Sequence, residues 1–241
     1  MTLSTPALAL TLALALGGCQ KAEDAAFGQK VRGYLLEHPE VLQEVADKLR
    51  EKEKLAALKA SAGAIQKHRA QLERDPRDFV ANPRGKVTVV EFFDYRCGYC
   101  KTTAPEVVKL IQDNPDVRFV FKELPIFGEV SDTAARIAVS GPAKAKGLEL
   151  YSRWMGEQAL NDASVDRHLA AVGIDPAAAR AAARSPAVSQ HIADVRQLAS
   201  ALSIEGTPAF IVGDIMIPGA DIAALKAAII VAKAGDLKRP G

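Results

Sequence analysis

The chain has 241 residues, of which 49% are hydrophobic and 25% are charged, the composition of an ordinary globular protein. Its formal net charge is +2, so the overall charge gives no sign of a nucleic-acid partner or an acidic substrate. The length accommodates one or two domains with a substantial hydrophobic core.

The first 18 residues carry no charged side chain and include the largely apolar run ALALTLALAL at 7–16. Such a run is too short to cross a bilayer, which takes about 20 residues, but it fits a secretory signal peptide. LGGC at 16–19 resembles the lipobox of bacterial lipoproteins, which implies lipidation of Cys19. We expect residues 1–18 to be a signal peptide, with ordinary cleaved export and a retained anchor as alternatives. Each places the protein outside the cytoplasm, where disulfides persist.

Residues 20–72 form a predicted N-terminal helical region, because apolar side chains recur there at spacings of three and four. A break near His38 separates two helices, since Pro39 suits a first helical turn. The apolar stripe is thin and the opposite face is highly charged, so the stripe is best buried against other copies of itself. We favour a homo-oligomer formed through this arm. A helix that packs on its own domain is the alternative.

A strand–helix–strand unit follows the arm. Residues 73–85 contain two prolines and a glycine and are predicted to be a linker. The β-branched and aromatic run at 86–95 predicts a buried strand, and the alternating run at 117–124 predicts a second. A helix from Cys97 to Asp113 connects them, which implies a parallel pair with a crossover.

The remainder is helical and then returns to strands. Residues 130–202 are rich in alanine and show helical patterns without a strand signal. A hairpin turning at Gly213 and Asp214 and a closing helix complete the chain. The fold class is therefore α/β: a thioredoxin-like fold with a helical insertion between strands, preceded by the N-terminal helical arm. The thioredoxin-like domain occupies 86–128 and 203–241, and the insertion occupies 129–202.

Two of the three cysteines, Cys97 and Cys100, stand in the sequence RCGYCK. A structural zinc site needs four ligands, and neither a second cysteine pair nor paired histidines are present, so we expect no zinc. A Cu(I) ion, which needs only two thiolates, is harder to exclude. A disulfide across so short a loop would stabilise the fold little.

Redox exchange is the favoured function of the pair. Cys97 lies where a strand gives way to a helix, and the helix N-terminus stabilises a thiolate. The Cys97 thiolate would attack a client disulfide, and Cys100, one turn later, would resolve the mixed disulfide. We expect Cys97 to be the more exposed sulfur and Cys100 the more buried one.

Several segments carry a family resemblance. EFFDYRCGYCK at 91–101 resembles the active-site segment of the DsbA-like thiol–disulfide oxidoreductases, which are thioredoxin folds with a helical insertion. FKELPIFG at 121–128 and GTPAFIVGD at 206–214 are similar to the ScsC (suppressor of copper sensitivity C) and Com1-like branch. VRGYLLEHPEVL at 31–42 resembles the ScsC N-terminal region, which mediates oligomerisation in some members.

The resemblance implies roles for further residues. Pro208 matches the family's cis-proline opposite the cysteines, which implies that Thr207 and Pro208 seat the substrate chain. The family also has an acidic residue at the position of Glu91. A buried Glu91 would have a raised pKa and could exchange a proton with Cys100, whereas an edge or surface glutamate is the alternative. Gly98 and Tyr99 would tune the redox potential and contact substrate, and this dipeptide resembles that of the disulfide isomerase DsbC.

The sequence thus predicts a periplasmic thiol–disulfide oxidoreductase with isomerase character, possessing no dissociable cofactor and no metal. Its partners would be unfolded or mis-disulfided exported proteins and a membrane reductase or oxidase that resets the pair. Two alternatives stay open: a monomeric DsbA-type dithiol oxidase, and a copper-binding or copper-tolerance protein that uses the same thiols.

Overall fold

The computed structural model describes residues 26–235. The expected signal peptide at 1–18 and the lipidation site at Cys19 lie outside the described residues. The chain divides into two compact units, with the boundary between Ala57 and Leu58.

The described part of the first unit, residues 26–57, consists of helices. Helix α1 covers residues 26–37, the helix is interrupted at His38, and α2 (Glu40–Lys67) begins immediately afterwards. The predicted break near His38 is therefore confirmed. Most large apolar side chains among residues 26–57 are exposed: Phe27, Val31, Tyr34, Leu36, Leu42, Val45, Leu49 and Leu55.

The second unit is built on a five-stranded sheet in the order β1-β3-β2-β4-β5. The strands are β1 (Phe79–Ala81), β2 (Val87–Phe93), β3 (Val117–Glu123), β4 (Ala209–Val212) and β5 (Ile215–Pro218). Strands β2 and β3 pair in parallel, as predicted from the helix between them, and the other pairs are antiparallel. The hairpin between β4 and β5 turns at Gly213 and Asp214, as predicted.

The helical insertion lies between β3 and β4. Within the described residues its helices are α5 (Glu129–Ala138), α6 (Gly141–Ala145), α7 (Gly147–Gly156), α8 (Asp162–Ala171), α9 (Pro176–Ala183) and α10 (Pro186–Ala201). Helix α4 (Gly98–Asp113) crosses between the parallel strands, and α11 (Ile222–Lys233) follows β5. Among residues 26–235, no helix combines the length and the apolar content needed to cross a membrane.

Strand β2 separates two hydrophobic cores, because successive side chains of a strand point to opposite faces. Val89 and Phe93 belong to the larger core, which includes side chains of α4, α7 and α11. Val90 and Phe92 belong to a smaller core with side chains of α10. Glu91 shares the face of Val89 and Phe93, so the alternation places its carboxyl in the larger core.

Two segments outside the predicted thioredoxin-like boundaries are integral to the second unit. The predicted linker 73–85 contains β1, whose Phe79 pairs with Phe121 of β3. The last turns of α2 also belong here, since Ile65 is fully buried in the smaller core together with Leu72 of α3 (Arg69–Glu73). The compact unit therefore begins near Leu58, earlier than the predicted start at residue 86.

Candidate active site

Cys97 caps the N-terminus of α4. Its backbone is extended, and its sulfur accepts a hydrogen bond from the Cys100 N–H at 3.4 Å. On the other side, the Cys97 thiol donates to the Thr207 carbonyl at 3.1 Å. The Cys97 sulfur therefore lies at the start of α4, where the first N–H groups of a helix have no partner within the helix.

The two sulfurs differ in what they face rather than in exposure. Cys97 is 2% exposed and Cys100 is 0% exposed, so the expected difference in exposure is small. Both cysteines belong to the larger core, but Cys97 also lines a surface cleft of about 740 Å³, whereas Cys100 does not. Burial raises the pKa of the Cys100 thiol, and the nearby Glu91 charge raises it further. Only Cys97 is therefore positioned as a nucleophile towards an incoming disulfide.

The cleft beside Cys97, which we call the catalytic cleft, has walls from three segments. Gly98 and Tyr99 of the cysteine motif form one wall, and the Tyr99 ring is 71% exposed. Ile126 and Phe127, in the loop after β3, form the second. Residues 205–207 form the third. The apolar walls suit contact with an unfolded polypeptide.

The third wall ends at Thr207, and the peptide bond between Thr207 and Pro208 is cis. Strand β4 begins at the next residue, and the Pro208 carbonyl accepts a hydrogen bond from the Gly219 N–H at 2.8 Å. Thr207 and Pro208, over a hundred residues from the motif in sequence, thus lie beside Cys97.

A buried aspartate that sequence reasoning missed connects two walls of the cleft. The Asp94 carboxylate accepts from the backbone N–H groups of Ile126 and Phe127 at 2.7 and 3.0 Å. It also accepts from the Arg96 N–H and the Ser131 hydroxyl. An aspartate between a strand and a turn commonly binds nearby N–H groups, which is the one local signal for this role.

Glu91 lies behind the cysteines, and it is 1% exposed. The Tyr151 hydroxyl of α7 donates to its two carboxyl oxygens at 3.1 and 3.3 Å. Burial raises the pKa of Glu91 to about 8, and the Tyr151 hydrogen bond opposes part of that rise. Glu91 can therefore hold a proton near neutral pH and release it nearby. Nothing in the sequence around Tyr151 indicates that this residue is the hydrogen-bond partner of Glu91.

A second buried pair lies in the same core. The Tyr95 hydroxyl donates to Glu123 at 2.8 Å, and burial raises the pKa of Glu123 as well. Tyr95 packs edge-on against Phe93 and Trp154. The region behind Cys97 and Cys100 therefore contains two carboxyl groups for which the neutral form is favoured.

The family model described as the DSBA-like thioredoxin domain matches residues 88–229. The chain belongs to this family. A second family model, the N-terminal domain of the copper resistance protein ScsC, matches residues 23–56 of this DsbA-like protein. These matches confirm the resemblance drawn from the cysteine motif and from residues 31–42.

Solved structures agree with the family. This DsbA-like chain is 30% identical to BcfH of Salmonella enterica Typhimurium, covering 91% of this chain and 99% of that one, with a TM-score of 0.73. An engineered Proteus mirabilis ScsC is 26% identical over 90% of this chain and 96% of its own, with a TM-score of 0.67. A thioredoxin-like oxidoreductase from Silicibacter pomeroyi is 39% identical, covering 69% and 98% of the two chains, with a TM-score of 0.65. The thioredoxin-like fold with a helical insertion is thereby confirmed.

Curated relatives are much longer than this chain. The Na(+)/H(+) antiporter NhaA 3 of Salinispora tropica is 31% identical over 191 residues, which is 77% of this chain but 29% of that protein. NhaA 1 of Salinispora arenicola is 33% identical over 174 residues, or 69% of this chain and 26% of that protein. The chain thus spans less than a third of either relative.

Proposed function

We propose that this DsbA-like protein catalyses thiol–disulfide exchange, and in particular isomerisation, in exported proteins of the bacterial cell envelope. One observation carries the proposal: the Cys97 sulfur faces an apolar cleft and lies 3.1 Å from the carbonyl of Thr207, next to Pro208. A client chain that lies along residues 205–207 would bring its disulfide to that sulfur. Gly98 and Tyr99 would contact the same client.

Each step of the proposed reaction breaks one disulfide bond and forms another. The Cys97 thiolate attacks one sulfur of a client disulfide, which forms a mixed disulfide and releases the other client sulfur as a thiolate. In isomerisation, a second client thiolate then attacks the client sulfur, forms the new disulfide and releases Cys97. If the client stalls, Cys100 attacks Cys97 instead, releases the client thiolate and leaves a Cys97–Cys100 disulfide. A membrane redox partner must then reset the pair.

Glu91 would accept the proton that Cys100 loses and would donate the proton that Cys100 gains. Because burial raises the pKa of Cys100, its thiolate is costly without a nearby proton acceptor. When Cys100 attacks the mixed disulfide, its proton passes to the Glu91 carboxylate. In the reverse direction, the protonated Glu91 supplies the proton to the departing Cys100 thiolate.

The N-terminal arm, α1 and the exposed part of α2, would assemble the protein into a homo-oligomer. The exposed apolar side chains of the arm and its match to the ScsC N-terminal domain support this assignment. Several cysteine pairs in one assembly could act on one misfolded client at the same time. Such an arrangement favours isomerisation over simple oxidation.

The N-terminal sequence and one solved relative support a periplasmic location. A leader at 1–18 with lipidated Cys19 would tether the protein to a membrane on the periplasmic side. One similar solved structure, from Salmonella enterica, is described as a periplasmic thioredoxin-like protein. Mass spectrometry of the protein from a membrane fraction would test the anchor, since an unmodified or absent Cys19 excludes it.

A refolding assay tests the function. The protein, with its cysteine pair reduced, is incubated with a client whose disulfides have been scrambled, and recovery of native client is followed. We expect recovery with the wild-type protein and none with Cys97→Ser. A protein that oxidises reduced clients but does not rescue scrambled ones would instead be the dithiol oxidase.

The copper alternative draws support from the family name of the N-terminal match and from the presence of two cysteines, Cys97 and Cys100, within one motif. Among residues 26–235, no group of three or more His, Cys, Asp or Glu side chains could hold a metal ion, so a copper site would rest on two thiols. Anaerobic titration with Cu(I) tests it. Tight binding in a protein without exchange activity would favour the copper function.

A further inference from the structure

The catalytic cleft continues into a second one, which we call the distal cleft. It has a volume of about 430 Å³ and lies between the loop after β3 and the C-terminal end of α10. Leu124, Ile126 and Ile204 give it an apolar lining, and Arg196 and Glu205 add charges. Ile126, Glu205 and Gly206 line both clefts. A polypeptide seated at Cys97 therefore has a continuous path past Glu205 into the distal cleft.

Glu205 stands at the junction without a partner. Its side chain is exposed, and among the described residues it forms neither a hydrogen bond nor an ion pair. Arg196, the opposite charge in the distal cleft, is already engaged with the Asp132 carboxylate at 2.9 Å and the Pro125 carbonyl at 3.3 Å. Near Phe127, the Arg96 guanidinium donates to that residue's carbonyl. Among the charged residues that line the two clefts, Glu205 is therefore the one without a partner.

The separation between Glu205 and Thr207 determines which client side chain lies opposite the Glu205 carboxylate. A client cysteine joined to Cys97 lies beside Thr207, since the Cys97 sulfur is 3.1 Å from the Thr207 carbonyl. Glu205 is two residues before Thr207. An extended client advances about 3.3 Å per residue and its alternate side chains share a face, so the side chain two positions from its cysteine comes opposite Glu205.

From this arrangement we infer that Glu205 is a specificity-determining residue that selects clients with a lysine or arginine two positions from the reacting cysteine. The inference deepens the proposed exchange function and rests on it. The occupant of the distal cleft is an extended segment of the client, whose apolar side chains cover Ile126 and Ile204 while its basic side chain pairs with Glu205.

The test measures formation of the mixed disulfide at Cys97. It uses the full chain with Cys19→Ser and Cys100→Ala, so that Cys97 is the only cysteine. The probes are extended peptides with one cysteine, activated as a mixed disulfide with thionitrobenzoate, and with Lys, Gln or Glu two positions to either side. The Cys97 thiolate attacks the peptide sulfur, the peptide–thionitrobenzoate bond breaks, and the coloured thionitrobenzoate thiolate leaves. Its absorbance gives the rate constant.

We expect one of the two Lys peptides to react about two- to fivefold faster than its Gln counterpart, the range that exposed ion pairs produce. This ratio should fall towards one in high salt, because exposed charges are screened. Glu205→Gln should abolish the ratio, and Glu205→Lys should transfer the preference to the Glu peptide. Asp113→Asn is the matched control, since Asp113 ends α4 and lies about 24 Å along the helix from Cys97. It should retain the ratio.

Equal rates for all peptides, or a Lys preference that survives Glu205→Gln, would overturn the assignment of Glu205 and leave the exchange function standing. If no peptide released thionitrobenzoate, the exchange function would fail, and the inference about Glu205 would fail with it. The two failures are therefore distinguishable in one experiment.

Discussion

The Tyr151 hydroxyl lies 3.1 Å from a carboxyl oxygen of Glu91, and this pair is buried in the same core as Cys100. A helix of the insertion thus supports a carboxyl on the central strand of the thioredoxin-like sheet. The insertion therefore contributes a polar contact, as well as apolar packing, to the core that contains Cys100.

Glu91→Gln should change how stability depends on pH. Burial raises the pKa of Glu91 from 4.5 to about 8, so the folded protein retains a proton that the unfolded chain loses. The stability from this group is fully present below about pH 4.5 and is lost as pH rises to about 8, with a slope of up to about 1.4 kcal/mol per pH unit. Urea unfolding of the reduced protein between pH 5 and pH 8 should show a shallower decline in Glu91→Gln. Glu149→Gln, which removes an exposed carboxylate, should keep the wild-type slope, and equal slopes in all three proteins would contradict the prediction.

The two thiols should react with iodoacetamide at different rates. Cys97 faces the catalytic cleft, whereas burial raises the pKa of Cys100 and removes it from solvent. In protein without residues 1–19, Cys97 in the Cys100→Ser variant should be alkylated at least about tenfold faster than Cys100 in the Cys97→Ser variant, because only a reachable thiolate reacts. Mass spectrometry at successive times measures both rates. Comparable rates would mean that the buried thiol opens to solvent readily.

Asp94→Ala should destabilise the fold strongly. The substitution removes a carboxylate that accepts hydrogen bonds from two loop N–H groups, from Arg96 and from Ser131. We expect the free energy of unfolding to fall by about 2–4 kcal/mol, since buried donors lose their partners. Ser131→Ala removes only one of these bonds and should cost about 1 kcal/mol. Denaturant titration measures the free energy of unfolding of both variants. A similar decrease for Asp94→Ala and Ser131→Ala would show that the other Asp94 hydrogen bonds contribute little to stability.

Ile126→Ser should weaken client binding. Ile126 is 46% exposed on the wall of the catalytic cleft. The apparent KM for an unfolded client should rise about fivefold, because burying the exposed half of this side chain contributes about 1 kcal/mol. The same substitution at Ile230, which is 67% exposed on α11, is the control and should leave KM unchanged. If both variants behave alike, the wall of the cleft does not contact the client.

Removal of the arm should separate isomerisation from oxidation. A truncated protein that starts at Leu58 retains the compact second unit, including the buried Ile65. We expect it to sediment as a monomer, to oxidise dithiols and to lose rescue of scrambled clients. Full-length protein with Leu42→Lys and Leu49→Lys, which charges the exposed apolar stripe, should behave in the same way. An oligomer that persists after truncation would refute assembly through the arm.

Local sequence was sufficient for the central part of the fold. The β-branched and aromatic run around Val89, the helix that starts after Cys97 and the hairpin at Gly213 each have short-range signals, and the structure has all three. The side of the sheet to which Glu91 points also follows from the alternation of side chains along β2.

The features that sequence did not reveal depend on distant partners. Strand β1 has three residues in a proline-containing stretch and is defined by its pairing with β3, about forty positions later. Tyr151 is 60 positions from Glu91, in an alanine-rich helical region with no motif. Ile65 lies in a charged helix of weak amphipathicity, so its burial could not be read from periodicity.

The Asp94 carboxylate has a mechanical consequence. The same side chain holds the turn that carries Cys97 and the backbone of Ile126 and Phe127, so the nucleophile and the apolar wall keep a constant separation. Under the proposed exchange function, a client would bind best when the distance between its cysteine and its nearest bulky apolar residue matches that separation. Two clients of identical composition but different residue order would then be processed at different speeds.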